Sequence, residues 1–315
     1  MFAVLGFAGS FGDILANGPL YQSTFRLAAI LVFAAAGEWV AERAGTINIS
    51  VEAMLLGGHF AAAIAFTQTS NFAFALAVGA LAGVFVSSFQ AYLSHYLNAD
   101  QFGIGLTLNI LLLGLVAFLE PNFDLSTRLA SEWKIPLLYD IPIAGPALFG
   151  QRWPMYLVYL VVPLSWFLVM RTTWGLEVRS VGEDPQAADV TGIHVNSRRR
   201  EAILYTGLIA GLGGAVYLVG QVGRFESGNI GGKGIIAIAA VIFGGWTLRG
   251  AVAGCILFGY VDALRLNLPN IVGHDFNAQL LAALPFLATI VVMMIFAKHT
   301  RQPVALARPF IRGLK

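Results

Sequence analysis

The sequence predicts an all-α, polytopic integral membrane protein with about 8–10 transmembrane helices, some of them broken or re-entrant. Composition is the first reason. Of 315 residues, 57% are hydrophobic and only 11% charged, against about 25% charge in an ordinary soluble domain. Patterning is the second. Apolar segments lie near 24–42, 50–66, 72–97, 103–119, 155–171, 202–222, 235–247, 250–267 and 279–297. Roughly 20 apolar residues cross a hydrocarbon core about 30 Å thick. The third is the placement of basic residues, which gives these segments a consistent sidedness. The whole chain, 1–315, reads as one transmembrane domain.

The opening stretch, MFAVLGFAGSFGDILANGPL, lacks the basic start of a cleaved signal peptide. Asp13 and several glycines interrupt it, so it is expected to lead in along the interface. The first span ends in GEWVAERAGTINISVEAM, Gly37 to Met54. Glu38 and Glu42 are four apart and share a helix face, where neighbouring Arg43 is expected to neutralise them in part. Gly45 ends that helix. Asn48 and Ser50 are expected to cap a new, short helix, with Glu52 in its first turn, where the helix dipole favours an acid. Glu52 has three open roles: substrate contact, a cap on the next half-helix, or a pair with Arg43. The stretch reads as a helix break aimed at a polar cavity. Segments 50–66 and 235–247 are short and edged by glycine. That is the pattern of half-helices packed inside protein, because helix ends exposed to lipid leave backbone groups unpaired.

Further along, small residues recur four apart: Gly79 with Gly83, Gly207 with Gly211, Gly250 with Gly254. Such faces let helices approach closely in lipid. Asn109 lies inside a span, suited to an interhelical hydrogen bond or a substrate contact. Asp262 and Arg265, three apart, are expected to pair near a helix end. The external loop, 120–154, carries Glu120, Asp124, Glu132 and Asp140 against Arg128, Lys134 and Arg152. The loop 172–201 carries Arg179, Arg198, Arg199 and Arg200, and the tail carries Lys298, Arg301, Arg308, Arg312 and Lys315 with no acid. Both belong on the cytoplasmic side by the positive-inside bias. Counting back puts the N-terminus outside and the 42–50 junction inside, provided that both short segments cross.

Several chemistries are excluded. A net charge of +2 makes no electrostatic case for nucleic acid. One cysteine, Cys255, supports neither an intrachain disulfide nor a multi-cysteine metal site. His59, His95, His194, His274 and His299 are scattered, without metal-ligand spacing or a nucleophile motif. Ser227 to Gly234, SGNIGGKG, lacks the first glycine of a nucleotide-phosphate loop, and Gly234 stands where Ser or Thr follows the lysine. The chain is therefore expected to hydrolyse no ATP and to bind no metal or cofactor.

The polar stretch 179–196 holds a helix start at Asp184-Pro185, a small apolar face of Ala187, Ala188 and Val190, and a stop at Gly192. A helix this short is suited to a groove on another protein. Here a resemblance becomes specific. Gln186-Ala187-Ala188, with Gly192 four residues on, resembles the Glu-Ala-Ala-xxx-Gly coupling loop of ABC importer permeases, with Gln in place of Glu. Gly37 to Met54 resembles the Gly-Glu-x-x-x-Glu-Arg-Ala-Gly-x-x-Asn-x-Gly-x-Glu-Gly pattern of simple-sugar and nucleoside ABC permeases. Thr107-Leu108-Asn109 resembles the following span of that family, and Gly234 to Trp246 its Gly-rich late segment. The matches keep their order from about 35 to 260 and so cover most of the chain. Ser50 and Ala53 stand where the family favours glycine, and His59 where it favours a small residue, which bears on selectivity.

The resemblance implies a single permease domain in a bacterial inner membrane, multi-pass, with a cytoplasmic C-terminus. It implies a cytoplasmic ABC ATPase docked on Glu183, Asp184, Pro185, Gln186, Ala187, Ala188 and Gly192, with the ATP used by that partner. It implies a second, paralogous permease in a heterodimer, of which this chain resembles the shorter member. It also implies a periplasmic or lipoprotein substrate-binding protein. The pathway for a nucleoside or simple sugar then falls to Asn48, Glu52 and Asn109, since amides both donate and accept hydrogen bonds. The competing reading from the residues alone is an ion- or proton-coupled secondary transporter using Glu38, Glu42 or Glu52. An intramembrane enzyme is a further one.

Overall fold

A computed structural model describes residues 18–272 and 302–312, together with isolated positions between 283 and 294. The N-terminal lead-in, most of the segment 279–297, and His274, Lys298, His299, Arg301 and Lys315 lie outside the described residues. Helix α1 spans Gly18–Arg43, α2 Val51–Thr69, α3 Phe72–His95 and α4 Gln101–Leu119. The next loop holds β1 (Glu132–Lys134), α5 (Ala144–Phe149) and β2 (Gly150–Arg152). Then follow α6 (Leu157–Arg171), α7 (Thr173–Glu183), α8 (Pro185–Val190), α9 (Val195–Tyr217), α10 (Lys233–Phe243) and α11 (Leu248–Val272). The two strands form one short antiparallel pair, Glu132 opposite Arg152. The protein is thus all-α and polytopic. Six helices among the described residues are long and apolar enough to cross a membrane: α1, α3, α4, α6, α9 and α11.

Burial separates centre from rim. In their most apolar windows 89% of α1 and 78% of α9 is buried, against 11% of α4. Phe85 and Phe89 on α3, and Ile110, Leu111 and Phe118 on α4, are exposed. In a hydrocarbon solvent those faces cost nothing, whereas helix association there depends on close packing. The small faces supply it. A methyl group on Gly83 would overlap the Gly207 carbonyl oxygen, and one on Gly58 would overlap Gly211. So α2, α3 and α9 touch backbone to backbone, and α11 runs along α1. Gly250 meets Gly244 in the same way where α11 turns back on α10. Asp262 and Arg265 form the expected pair at 2.8 Å.

Two breaks shape the interior. At Gly45 the backbone enters the left-handed region, φ +81°, and α1 stops. The chain then doubles back, and the Asn48 N–H donates to Glu38 Oε1 at 2.9 Å. Consequently α2 begins beside the middle of α4, roughly 12 Å past the start of that helix at 1.5 Å per residue. It is not a half-helix as its sequence suggested. It runs for 19 residues, because the polar Thr67-Gln68-Thr69 continues it. Thr67 and Thr69 return their hydroxyls to carbonyls one turn earlier. The second break follows α9. A π turn at Leu218–Val222 leads to Gly223, φ +74°, and the chain re-enters without helix until α10. That helix has 11 residues and is a half-helix, as expected. Its far end reaches Trp246, whose carbonyl accepts the Trp39 indole N–H at 2.9 Å.

Sidedness follows from contacts. Ala44, Gly45, Gly182, Arg199 and the tail around Ala305 converge on one side. On the other side the 120–153 loop meets the end of α9, with Thr127 N–H donating to Gly223 O at 3.0 Å and Phe225 N–H to Leu125 O at 3.2 Å. The two basic segments, 172–201 and the described part of the tail, therefore share a face opposite the long loop.

Candidate functional site

The first N–H groups of an α-helix have no acceptor within the helix, and inside a membrane they must find one. Here two such ends meet. For α2 the acceptor comes from α4: Ala53 N–H donates to Asn109 Oδ1 at 2.9 Å, while Asn109 Nδ2 donates to Ile49 O at 2.9 Å. For α10 it comes from α2: Gly232 N–H donates to Glu52 Oε1 at 2.7 Å and Gly234 N–H to Glu52 Oε2 at 2.5 Å. A methyl on Gly234 would lie 2.6 Å from Glu52 Cα, so glycine is what lets α10 come this close. Between the two amides, the Lys233 ammonium donates to Asn229 O at 2.8 Å and lies 5.2 Å from the Tyr217 ring centre.

The structure thus brings Asn48, Glu52 and Asn109 to one junction, and each is engaged. Of the roles open to Glu52, it fills the cap on the next half-helix. Asn109 makes an interhelical clamp. The expected local cap fails: Ser50 makes no side-chain bond to the start of α2, and its hydroxyl donates to Asn48 Oδ1 at 2.7 Å. With ψ at 6° Ser50 is not in the extended conformation from which an N-cap side chain reaches the N2 or N3 amide. Asn48 Nδ2 lies 3.4 Å from Met54 Sδ. Two positively polarised helix ends pointing into one region favour electron-rich polar groups there.

Glu38, which accepts the Asn48 N–H, and Glu42 one turn further along α1 are both buried. Among the described residues, one Glu38 oxygen, both Glu42 oxygens and the Trp246 indole nitrogen make no hydrogen bond of normal geometry. Among the described residues Arg43 forms no ion pair with Glu38, Glu42 or Glu52, contrary to the expectation that it neutralises the first two. Glu38 is turned into the loop that rises from Gly45, whereas Arg43 ends the helix on the other side of that turn. Above the junction, His59 Nδ1–H donates to Gly214 O at 2.9 Å, and the ring packs within 5.5 Å of the Tyr217 and Phe225 ring centres. A separate cavity of about 710 Å³ lies between α1, α5, α6 and α11, lined by residues such as Tyr21, Phe25, Tyr159, Val162 and Ile256. Its apolar wall offers little to a polar solute.

The surface loop forms as read. Asp184 Oδ1 accepts Gln186 N–H at 3.1 Å and Ala187 N–H at 3.0 Å, and Gly192 turns out of the helix at φ +93°. The small face, however, divides. Ala188 is buried in a satellite core with Val181, Val195 and Phe310. Val190, 88% exposed, points outward with Glu183, Asp184, Gln186, Ala187 and Gly192, while Pro185 is half-buried. A six-residue helix lying on a support must spend one face on it.

Sequence reasoning missed three participants. Gly232 and Gly234 entered as parts of a failed phosphate loop, and Gly234 also as the start of the Gly-rich late segment, but neither as a site residue. They do bind an anion through backbone N–H groups, and the chain supplies that anion itself. Arg199 stood among three arginines as surface charge, yet it is fully buried. Nothing in the run Arg198-Arg199-Arg200 marks the middle one except helical phase, which puts it on the face of Ala202, Ile203 and Thr206.

A profile of the family described as "Branched-chain amino acid transport system / permease component" matches residues 20–297. Among curated proteins, the nucleoside ABC transporter permease protein NupC of Lactococcus lactis subsp. cremoris is 33% identical over 308 residues, covering 93% of this chain and 94% of that one. The guanosine ABC transporter permease protein NupQ of Bacillus subtilis is 32% identical, over 93% of this chain and 97% of that one. The guanosine ABC transporter permease protein NupP of the same organism is 26% identical, over 83% of this chain and 76% of that one.

Proposed function

The chain belongs to the family of branched-chain amino acid transport system permease components, and from that premise we propose that its cargo is a nucleoside. It is a multi-pass permease subunit of an ABC importer, and such subunits work with an ATPase and a substrate-binding protein. One observation carries the cargo assignment: identities of 33% and 32%, over 93% of this chain, to permeases named for nucleosides and guanosine, set against 31%, over 92% of this chain, to the putative glucose ABC transporter permease protein TsgC13 of Haloferax volcanii. The site is compatible with it. Asn48 and Asn109 bring amide donors and acceptors to the junction of α2 and α10, and a nucleoside is uncharged and rich in both.

The finer assembly is part of the same reading. This chain pairs with a longer paralogous permease, in line with its fuller match to NupQ than to NupP. A periplasmic or lipoprotein receptor delivers substrate, and the pair sits in a bacterial inner membrane with the C-terminus cytoplasmic. ATP is bound and hydrolysed by the ATPase, docked on the exposed face of 183–192, and this chain binds no cofactor. ATP and loaded receptor favour different states of one two-state equilibrium, which gives alternating access. In those states the paired helix ends at Glu52 and Asn109 separate and rejoin around the substrate.

Reconstituted vesicles test this. With both permeases, the ATPase and the receptor present, ATP is expected to drive accumulation of labelled guanosine or uridine, with excess unlabelled nucleoside competing and ribose or glucose not. Accumulation of sugar instead would overturn the cargo. Uptake driven by a proton gradient without ATPase would overturn the importer class for this chain.

A further inference from the structure

Four chain segments meet at one point between α8 and the loop that rises to Asn48. The end of α7 contributes Gly182, two residues before the Asp184 cap of α8. The break after α1 contributes Gly45, three residues before Asn48. The C-terminal segment 303–308 lies across both: Ala305 N–H donates to Gly182 O at 3.0 Å, and Ala307 N–H donates to Gly45 O at 3.1 Å. The first turns of α9 contribute Arg199. Its Nε donates to Ala44 O at 3.2 Å, Nη1 to Arg308 O at 2.7 Å and Nη2 to Ala305 O at 3.4 Å.

Nothing at this point has room to slide. A methyl on Gly182 would overlap the Arg43 carbonyl oxygen, and one on Gly45 would stand 3.0 Å from Arg199 Nη2 and 3.1 Å from Ala305 O. Arg199 is fully buried and has no carboxylate partner among the described residues, so backbone carbonyls alone compensate its charge. A buried guanidinium so placed is costly unless every donor it offers is used. The C-terminal segment also grips α8 from outside. Phe310 packs on Ala188, Val181 and Val195, Asn196 Nδ2 donates to Phe310 O at 3.3 Å, and Arg312 pairs with Asp189 at 3.1 Å.

We propose that Arg199 and the strap 303–312 fasten α8 and the Gly45 loop into one rigid transmission body, so that displacement of α8 by the ATPase is delivered to the Asn48–Glu52 junction. This rests on the reading that α8 docks the ATPase. Arg199 is a positioning residue: it touches no substrate and acts through the loop it holds. The strap thereby supports α8 from behind, through Phe310 on Ala188 and Arg312 on Asp189, and leaves the exposed face of 183–192 to the ATPase.

The test uses the complete reconstituted transporter and reads uptake per ATP hydrolysed. Arg199→Met, similar in length but without donors, is expected to keep ATPase co-purification and ATP hydrolysis while uptake per ATP falls about tenfold or more, within the range of ordinary coupling free energies. Arg199→Lys is expected to recover part of the loss, and Arg200→Met to show none. A chain ending at Gln302 is expected to behave like Arg199→Met, and it decides the matter if that variant does not insert. Unchanged uptake per ATP in an inserted Arg199→Met or in the shortened chain would overturn the proposal. An independent arm joins Asp189→Cys to Arg312→Cys with a short bis-methanethiosulfonate cross-linker, each thiolate displacing methanesulfinate to form a reducible disulfide; Cys255 is buried and does not compete. Transport is expected to survive the bridge, because the joined parts move together. Loss of transport on bridging, restored by reductant, would show relative motion and overturn it. Failure of the unmodified complex to bind the ATPase would instead count against the underlying assignment of α8.

Discussion

At the scale of single residues, side chains from other helices cap both breaks. Asn109 makes two hydrogen bonds to the start of α2, each worth about 0.5–1.5 kcal/mol net. Asn109→Ala is expected to cost about 1–3 kcal/mol and to lower the melting temperature of the detergent-solubilised chain, with uptake falling about tenfold per 1.4 kcal/mol lost from the competent state. An unchanged melting temperature would remove the clamp. Glu52→Gln keeps one acceptor but turns an NH₂ group toward one of the amides of Gly232 and Gly234, and it removes the charge that complements the helix end. The expected loss is about 1–2 kcal/mol, again read as thermal stability, with slower uptake. Asn48, Glu52 and Asn109 were legible as a group because polar residues inside spans are few. Their partners were not, since a cap drawn from 56 or 180 positions away leaves no mark in local spacing. That is also why Ser50, the residue that local rules favour, turned out to cap nothing.

At the scale of elements, the chain's order of spans and breaks was plain from apolar runs and glycines, and so were the small faces of Gly79, Gly83, Gly207 and Gly211. Their partnership was not: that α3 and α9 press these faces together is a tertiary fact. The contact makes a sharp comparison possible. Gly83→Val must push α3 from α9 and is expected to cost about 1–3 kcal/mol or more, seen as loss of monodisperse protein on size-exclusion chromatography. Gly114→Ala, where a methyl would meet nothing within 4 Å, is expected to stay within about 0.5 kcal/mol. Equal behaviour of the two would deny the backbone contact. The length of α2 was misjudged for a related reason. Three polar residues at its outer end look like a loop, but threonines that bond back to the previous turn can prolong a helix.

At the scale of the whole molecule, the two ends of the bundle do different work: one carries a long loop packed over the end of α9, the other a short helix pinned by the C-terminal strap. The division of the α8 face predicts two distinct failures. Val190→Asp, on the exposed face, is expected to leave the chain stable but to release the ATPase in a pull-down. Ala188→Asp buries a charge beside Phe310 and is expected to destabilise the loop itself, by about 3 kcal/mol or more, seen as protease cleavage between α7 and α9. If Ala188→Asp released the ATPase with no gain in cleavage, the inward orientation of Ala188 would be wrong. The cross-capping of the two breaks also has a bearing on biogenesis. The start of α2 is synthesised 56 residues before Asn109, and Glu52 precedes Gly232 by 180 residues and Gly234 by 182, more than three times as far. A nascent chain halted before α4 is therefore expected to hold α2 with its first amides still lacking the Asn109 acceptor.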